Sequence, residues 1–247
     1  MPSIITREEG EIGWITLHRP NVHNALNSEM LQEIYDISKN WEKQMRLIIV
    51  TGFGEKAFCA GADIREMAAM SPKESSIFTQ LGHKTMATLE EGNPITVAML
   101  NGFALGGGLE LALSCDFIFA AQGIKVGLPE VGLGLIPGFG GTQRLPKRIG
   151  YAAALDWILT AKVGTSDEAQ ELGMFNGMVP KAELKEYVTH FSKKILELPR
   201  HAQIKAKKAI RSNDFALERT LFDECLHAPK TVACIEKFLS KKKESIS

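Results

Sequence analysis

Apolar runs of strand length recur along the first half of the chain, at Ile12–Leu17, Arg46–Thr51, Ile95–Leu100 and Asp116–Ala121, and the stretches between them follow a different period. Between the first two, Met30, Leu31, Ile34, Ile37 and Trp41 fall at helical spacing. Ser28 stands where an N-cap is expected, and His18-Arg19-Pro20-Asn21 supplies turn chemistry after the first strand. Between the last two, a glycine-rich turn leads into LELALS, a pattern that suits a short buried helix. Strands alternating with helices predict an α/β architecture with mainly parallel pairing, because parallel neighbours need a crossover between them. After Gly150 the pattern changes, and Tyr151–Thr160, Thr165–Leu172, Lys181–Leu196 and Pro199–Ser212 all read as helices.

Charge and cysteine content narrow the function classes. The 247 residues carry 29 basic and 29 acidic side chains, so no long-range field gathers nucleic acid or an anionic membrane. An anionic ligand must instead be held by a local basic patch. Cys59, Cys115, Cys225 and Cys234 form no C-x-x-C pair and read as reduced thiols, which points to the cytoplasm or an organelle matrix. No histidine pair has ligand spacing, so no metal site is expected. Arg7, Glu8 and Glu9 interrupt the N-terminal stretch where a secretory leader needs apolar residues. The most apolar window, Ile95 to Cys115, is broken by Asn101, four glycines and Glu110, and is not expected to span a bilayer.

Three glycine-bearing turns compete for the chemistry. Gly52-Phe53-Gly54-Glu55-Lys56-Ala57 matches a dinucleotide fingerprint in its final-alanine form, but such a site needs a helix to open at the turn, and Phe58-Cys59-Ala60-Gly61 has no helical character. Cys59 to Met67 and Asn101 to Glu110 each read as a loop entering a short helix. Small residues there let a ligand approach the main chain, and first-turn amides favour a developing oxygen anion. The simpler account of the three consecutive glycines is close packing of a buried helix. Glu110 alters that balance, because a carboxylate inside apolar LELALS needs a reason to be there. Glu130, in Gly127-Leu128-Pro129-Glu130-Val131-Gly132, is a second acid among apolar neighbours. Two such acids beside amide donors would form an acid/base pair, since burial and mutual repulsion keep one protonated near neutral pH.

RPNVHNALN (Arg19 to Asn27), FCAGADIREM (Phe58 to Met67), NGFALGGGLELALSCD (Asn101 to Asp116), GLPEVGLGLIPGFGGTQRLPKRIG (Gly127 to Gly150) and, more loosely, LTAKVGTSDEAQELGMFNGMVP (Leu159 to Pro180) resemble, in order and spacing, the crotonase superfamily of enoyl-CoA hydratases and isomerases. The resemblance implies a spiral of repeated ββα units over residues 1–190. It also implies a helical region over 191–247 that drives assembly into a trimer, or a hexamer built from two trimers, and helps cover the active site. The implied ligand is an acyl thioester of coenzyme A, with the coenzyme part of the substrate and no separate cofactor. Carried over by position, the oxyanion hole falls on the amides of Ala62 and Gly107, and the catalytic carboxylates on Glu110 and Glu130. Both acids being glutamate favours hydration of an enoyl-CoA, with Glu110 as base toward water and Glu130 supplying the α-proton. Coenzyme A contacts fall on Ala25, Leu26, Ala60, Ala62, Asp63, Ile64 and Arg65. The basic run from Pro199 to Lys243 reads first as a solvated helix face; the alternative is an anion site in which Lys207 and Lys208, with Arg65, neutralise the phosphates.

The segment Ala228 to Phe238 departs from the acidic-then-glycine pattern common in such hydratases, which leaves the acyl-chain preference open. Isomerase or carnitinyl-CoA-type dehydratase chemistry could use the same pocket. A non-enzymatic role in RNA binding or as a scaffold subunit is the rival of a different class, and the intact glutamate pair speaks against it.

Overall fold

A computed structural model describes residues 2–244. The described chain divides into two compact units, one up to Ser192 and one from Lys193.

The first unit opens with β1 (Ile4–Glu9), β2 (Ile12–Leu17), α1 (Ser28–Trp41), β3 (Leu47–Gly52), β4 (Ala57–Cys59), α2 (Ile64–Ala68) and α3 (Pro72–Glu91). It continues through β5 (Ile95–Leu100), β6 (Phe103–Leu105), α4 (Gly107–Leu113), β7 (Phe117–Ala121) and β8 (Lys125–Gly127). It then runs through α5 (Gly141–Ile149), α6 (Tyr151–Leu159), β9 (Val163–Thr165), α7 (Ser166–Glu171), β10 (Gly177–Val179) and α8 (Leu184–Glu197), the last crossing the boundary. Two sheets result, with strand orders β1-β2-β3-β5-β7-β10 and β4-β6-β8-β9. Each of the pairs β3/β4, β5/β6 and β7/β8 therefore places a longer strand in the large sheet and a short one in the small sheet before the chain returns through helix. That is the spiral of ββα units expected from the resemblance. Pairing is parallel apart from β1 with β2 and β8 with β9.

Burial explains the strand sequences. Every residue of β3 (LIIVTG) and β5 (ITVAML) is buried, so these central strands are near-continuously apolar rather than alternating, with Thr51 and Thr96 as buried polar exceptions. β1 sits at the sheet edge and exposes Ile5 to Glu8, so its sequence IITREE lacks a strand signature. α3 also lacks a plain apolar stripe, because Gly82 and Thr85 share its buried face with Phe78, Met86 and Leu89. It is tied to α1 by the Thr85 hydroxyl, which donates to the Leu31 carbonyl at 3.0 Å. The cap of α1 is Asn27, not Ser28: the Asn27 side chain accepts from the Met30 amide at 3.0 Å. The Ser28 hydroxyl instead donates to Glu66 at 2.6 Å, so that side chain is spent on linking α1 to α2.

The second unit is helical, with α9 (Arg200–Ser212), α10 (Phe215–Leu226) and α11 (Pro229–Glu244). Asn213 in the left-handed region ends α9, and Asp214 caps α10. Lys205 pairs with Glu224 between α9 and α10, and His201 meets the Thr231 hydroxyl between α9 and α11 at 2.9 Å. Ile210, Phe215, Phe222 and Phe238 are exposed on this unit. Among the described residues no helix is long and apolar enough to cross a membrane.

Candidate active site

The first turn of the site is built around Asp63, the N-cap of α2. One carboxylate oxygen accepts from the Arg65 and Glu66 amides, and the other accepts from Arg19 at 2.9 Å. Arg19 also donates to the Ala25 carbonyl at 2.6 Å, which draws the Ala25–Leu26 segment against Ala60–Asp63. The two segments join in a single parallel bridge, Leu26 with Ala62. Its bonds run from Leu26 N to the Gly61 carbonyl and from Asp63 N to the Leu26 carbonyl, each 2.8 Å. Both pass on either side of Ala62, so in this parallel register the Ala62 N–H points away from Leu26. Leu26 and Ala25 have buried side chains and could meet a ligand only through backbone, whereas Ile64 and Arg65 lie exposed at the start of α2.

The second turn lies at the start of α4. Gly106 has φ +51 and turns the chain out of β6, leaving Gly107 as the first helical residue, whose amide has no acceptor within the helix. A Cβ on Gly107 would stand 3.2 Å from the Ala62 nitrogen, and one on Gly61 would stand 3.6 Å from the Gly107 nitrogen. The two amides are therefore neighbours. A Cβ on Gly108 would come within 2.4 Å of the Cys59 carbonyl. Gly108 therefore serves close packing, and Gly107 carries the amide that neighbours the Ala62 N–H.

Glu110 follows on α4 and is almost wholly enclosed, at 1% exposure. Its Oε1 accepts from the Phe139 and Gly141 amides at 2.8 and 2.7 Å. Glu130 lies on a 3-10 turn, Pro129–Leu133, and is half-buried. Its Oε1 would be 3.0 Å from a Cβ on Gly106, which sets it next to the Gly107 turn. Its other oxygen, Oε2, is buried and accepts from no donor among the described residues. Burial pushes the Glu110 carboxyl up from its ordinary range, and the Gly141 and Phe139 amides, the Arg144 charge and the Gly138 amide pull it part of the way back. Burial pushes Glu130 up to about 7; its own amide lowers it slightly, and the charge of Glu110 adds to the rise. Such a pair can pass protons near neutral pH beside two amides able to hold an oxygen anion.

The turn at Gly52 opens no helix: the chain continues into β4, and a Cβ on Gly52 would lie 2.4 Å from the Ala57 carbonyl, so this glycine serves a tight chain crossing. Phe139, Gly141 and Arg144, which bear on Glu110 from outside its own helix, and Glu90 behind Arg144 were given no individual role by the sequence. The usable signal was the glycine pair Gly140-Gly141 opening α5, with an arginine one turn along.

Comparison with known proteins covers nearly the whole length. The profile of the enoyl-CoA hydratase/isomerase family matches residues 7–245. A short-chain-enoyl-CoA hydratase of Clostridium acetobutylicum is 38% identical over 98% of this chain and 96% of its own. A crotonyl-CoA hydratase of Syntrophomonas wolfei is 43% identical over 78% and 75% of the two chains. The crystal structure of an enoyl-CoA hydratase from Bacillus anthracis superposes with a TM-score of 0.92 at 33% identity, covering 97% of each chain. Sequence profile, full-length relatives and fold agree, and the chain belongs to the enoyl-CoA hydratase/isomerase family.

Proposed function

We propose that this protein is an enoyl-CoA hydratase, adding water reversibly across the α,β double bond of an enoyl-CoA thioester. The observation that carries this reading is the convergence of two carboxylates, Glu110 and Glu130, on two neighbouring amides, Ala62 and Gly107. The thioester carbonyl accepts from both amides, which stabilise the enolate that forms as water attacks. The water oxygen bonds to the β-carbon while Glu110 takes one of its protons, and Glu130 delivers its own proton to the α-carbon. The product is a 3-hydroxyacyl-CoA, and the proton count is unchanged. Coenzyme A enters as part of the substrate, lying along the backbone of Ala25, Leu26, Ala60 and Ala62 and past Asp63, Ile64 and Arg65, with no separate cofactor. The Asp63 carboxylate, bonded to Arg19 and its own helix, serves by holding that backbone in place.

The acyl group in this proposal is short, as the names of the two relatives suggest. The Phe139 ring, 3.1 Å from where a Gly107 Cβ would stand and packed edge-on against Phe78, narrows the space beside the two amides. The exposed apolar residues of the C-terminal helices suit a homotrimer or a pair of trimers, and a cytoplasmic setting suits the free thiols. Arg65, exposed at the start of α2, is the cation proposed to meet the phosphates within the first unit. Purified protein mixed with crotonyl-CoA should lower the conjugated enoyl absorbance to an equilibrium value. Unchanged absorbance with enoyl-CoAs of several lengths overturns the proposal, and conversion of a β,γ-enoyl-CoA alone would reassign it to isomerisation.

A further inference from the structure

We propose that Arg144 is a positioning residue for Glu110: by linking Glu90 of α3 to the Phe139 carbonyl, it fixes the loop whose amides hold the Glu110 carboxylate. The guanidinium makes three bonds to two fixed acceptors. Nε and Nη2 donate to one Glu90 oxygen at 2.9 and 2.7 Å, and Nη1 donates to the Phe139 carbonyl at 2.8 Å. Both partners are largely sheltered, with side-chain exposures of 12% for Arg144 and 23% for Glu90. A rigid fork of this kind holds its acceptors in a way a lysine ammonium cannot.

The loop is clamped between the cation and the anion. A Cβ on Gly140, which has φ +101, would fall 2.3 Å from Arg144 Nη1. A Cβ on Gly141 would fall 3.0 Å from Glu110 Cγ and 3.1 Å from its Oε1. Two consecutive glycines therefore let Arg144 close on one side of a single backbone strand while Glu110 closes on the other. The Phe139 peptides serve both groups, the carbonyl accepting from Arg144 and the amide donating to Glu110. Rotation of that loop would remove both amides from Glu110 at once. The charged groups that bear on Glu110 are Arg144 of α5 and Glu130 of the 3-10 turn, with Glu90 of α3 behind Arg144. The thiol of Cys59, under Gly108, is pushed up to about 12 by burial and stays neutral. Arg144 is thus the cation that also favours the ionised form of Glu110.

This inference rests on the hydratase reading for its kinetic consequence but not for its titration, so two measurements separate them. The first follows the carboxyl resonances of full-length protein carrying 13C-carboxyl glutamate, with Glu110 assigned by its loss in Glu110→Gln. In Arg144→Gln the Glu110 midpoint should rise by about half a unit to one unit, and in Arg144→Lys it should stay near wild type because the charge remains. The second measures crotonyl-CoA hydration against pH. Arg144→Gln and Arg144→Lys should both lower kcat by about tenfold to a hundredfold with KM nearly unchanged, since both lose the fork. Only Arg144→Gln should move the acid limb of kcat/KM upward. Glu90→Gln, which keeps the Arg144 charge, provides the check if Arg144→Gln folds poorly: it should lower kcat without moving that limb. An unshifted Glu110 midpoint in Arg144→Gln, or a kcat per folded site within twofold of wild type in both arginine variants, overturns the role of Arg144. Absence of hydration by the wild type together with a shifted midpoint overturns the hydratase reading instead and leaves the positioning intact.

Discussion

Glu110 and Glu130 are the same amino acid within electrostatic reach of each other, yet the chain treats them differently. Glu110 stands on a helix, with two amides at one oxygen and a cation behind them. Glu130 stands on a short 3-10 turn with one oxygen buried and given no protein donor. Hydrogen bonds to a carboxylate favour its charge, and their absence in a buried place favours its proton. Burial raises both; Glu130 has only its own amide to pull it back, whereas Glu110 has the Gly141, Phe139 and Gly138 amides and the Arg144 charge. The difference supplies a physical basis for the proposed division of labour: the carboxylate held by two loop amides takes the proton from water, and the acid with fewer donors brings one.

The strongest way to break this comparison is to remove each carboxyl. Glu110→Gln and Glu130→Gln should each lower the hydration rate by about two to four orders of magnitude, and the double variant should fall little further, because the two share one proton inventory. Steady-state kinetics on refolding-competent variants decide it; losses that add in free energy would mean two independent groups. A gentler disturbance is Gly141→Ala, which sets a methyl against the Glu110 carboxylate and within 2.9 Å of Leu128 Cδ1. It should lower kcat by about tenfold to a hundredfold through misplacement alone. An unaltered kcat would show that the loop yields without cost.

The pH profile sharpens the contrast. Hydration leaves the proton count unchanged, so each direction needs the pair singly protonated, and kcat/KM should be bell-shaped with the same limbs for hydration and dehydration. The upper limb should lie near 7, where Glu130 releases its proton, and should vanish from the residual rate of Glu130→Gln. The smallest effect is on stability. Glu130 ionises near its ordinary 4.5 when unfolded and near 7 when folded, so the folded state holds the proton more tightly. Its contribution is fully present below about 4.5 and is lost as pH rises through 7. Relative to wild type, Glu130→Gln should therefore melt higher by about 2–4 °C at pH 8, which is worth about 1 kcal/mol for a chain this long, and show no such gain at pH 4. Equal melting differences at both pH values would place Glu130 in open solvent.

Much of the fold was written in local pattern. The buried strands β2, β3, β5 and β7 announce themselves by unbroken apolar runs, within a residue of their observed ends. β1 does not, because an edge strand facing water on most of its residues obeys no core pattern. α3 escapes because small residues, Gly82 and Thr85, take core positions; a Cβ on Gly82 would lie 2.2 Å from the Phe139 ring, so the helix is shaped to that aromatic rather than to a stripe. Within the site, Glu110 is conspicuous as an acid inside LELALS, whereas Glu130 sits in a glycine-rich loop, where an acid is ordinary, and the family pattern is what singles it out. The Gly140-Gly141 pair with an arginine one turn along hinted at Arg144, but nothing in the sequence pointed to Glu90 as its partner, since the two are distant in the chain.

The single bridge between Leu26 and Ala62 has a consequence for how the molecule comes into being. One amide of the proposed carbonyl cradle faces outward only because a segment before α1 has docked on a segment after β4, and the other belongs to a helix reached one further turn of the spiral later. No single hairpin or helix contains both. The cradle therefore has no local precursor and cannot form until non-local pairing is paid in chain entropy across much of the first unit. Early collapsed forms can be rich in helix and strand while being catalytically blank, so activity reports these non-local contacts and not the presence of secondary structure.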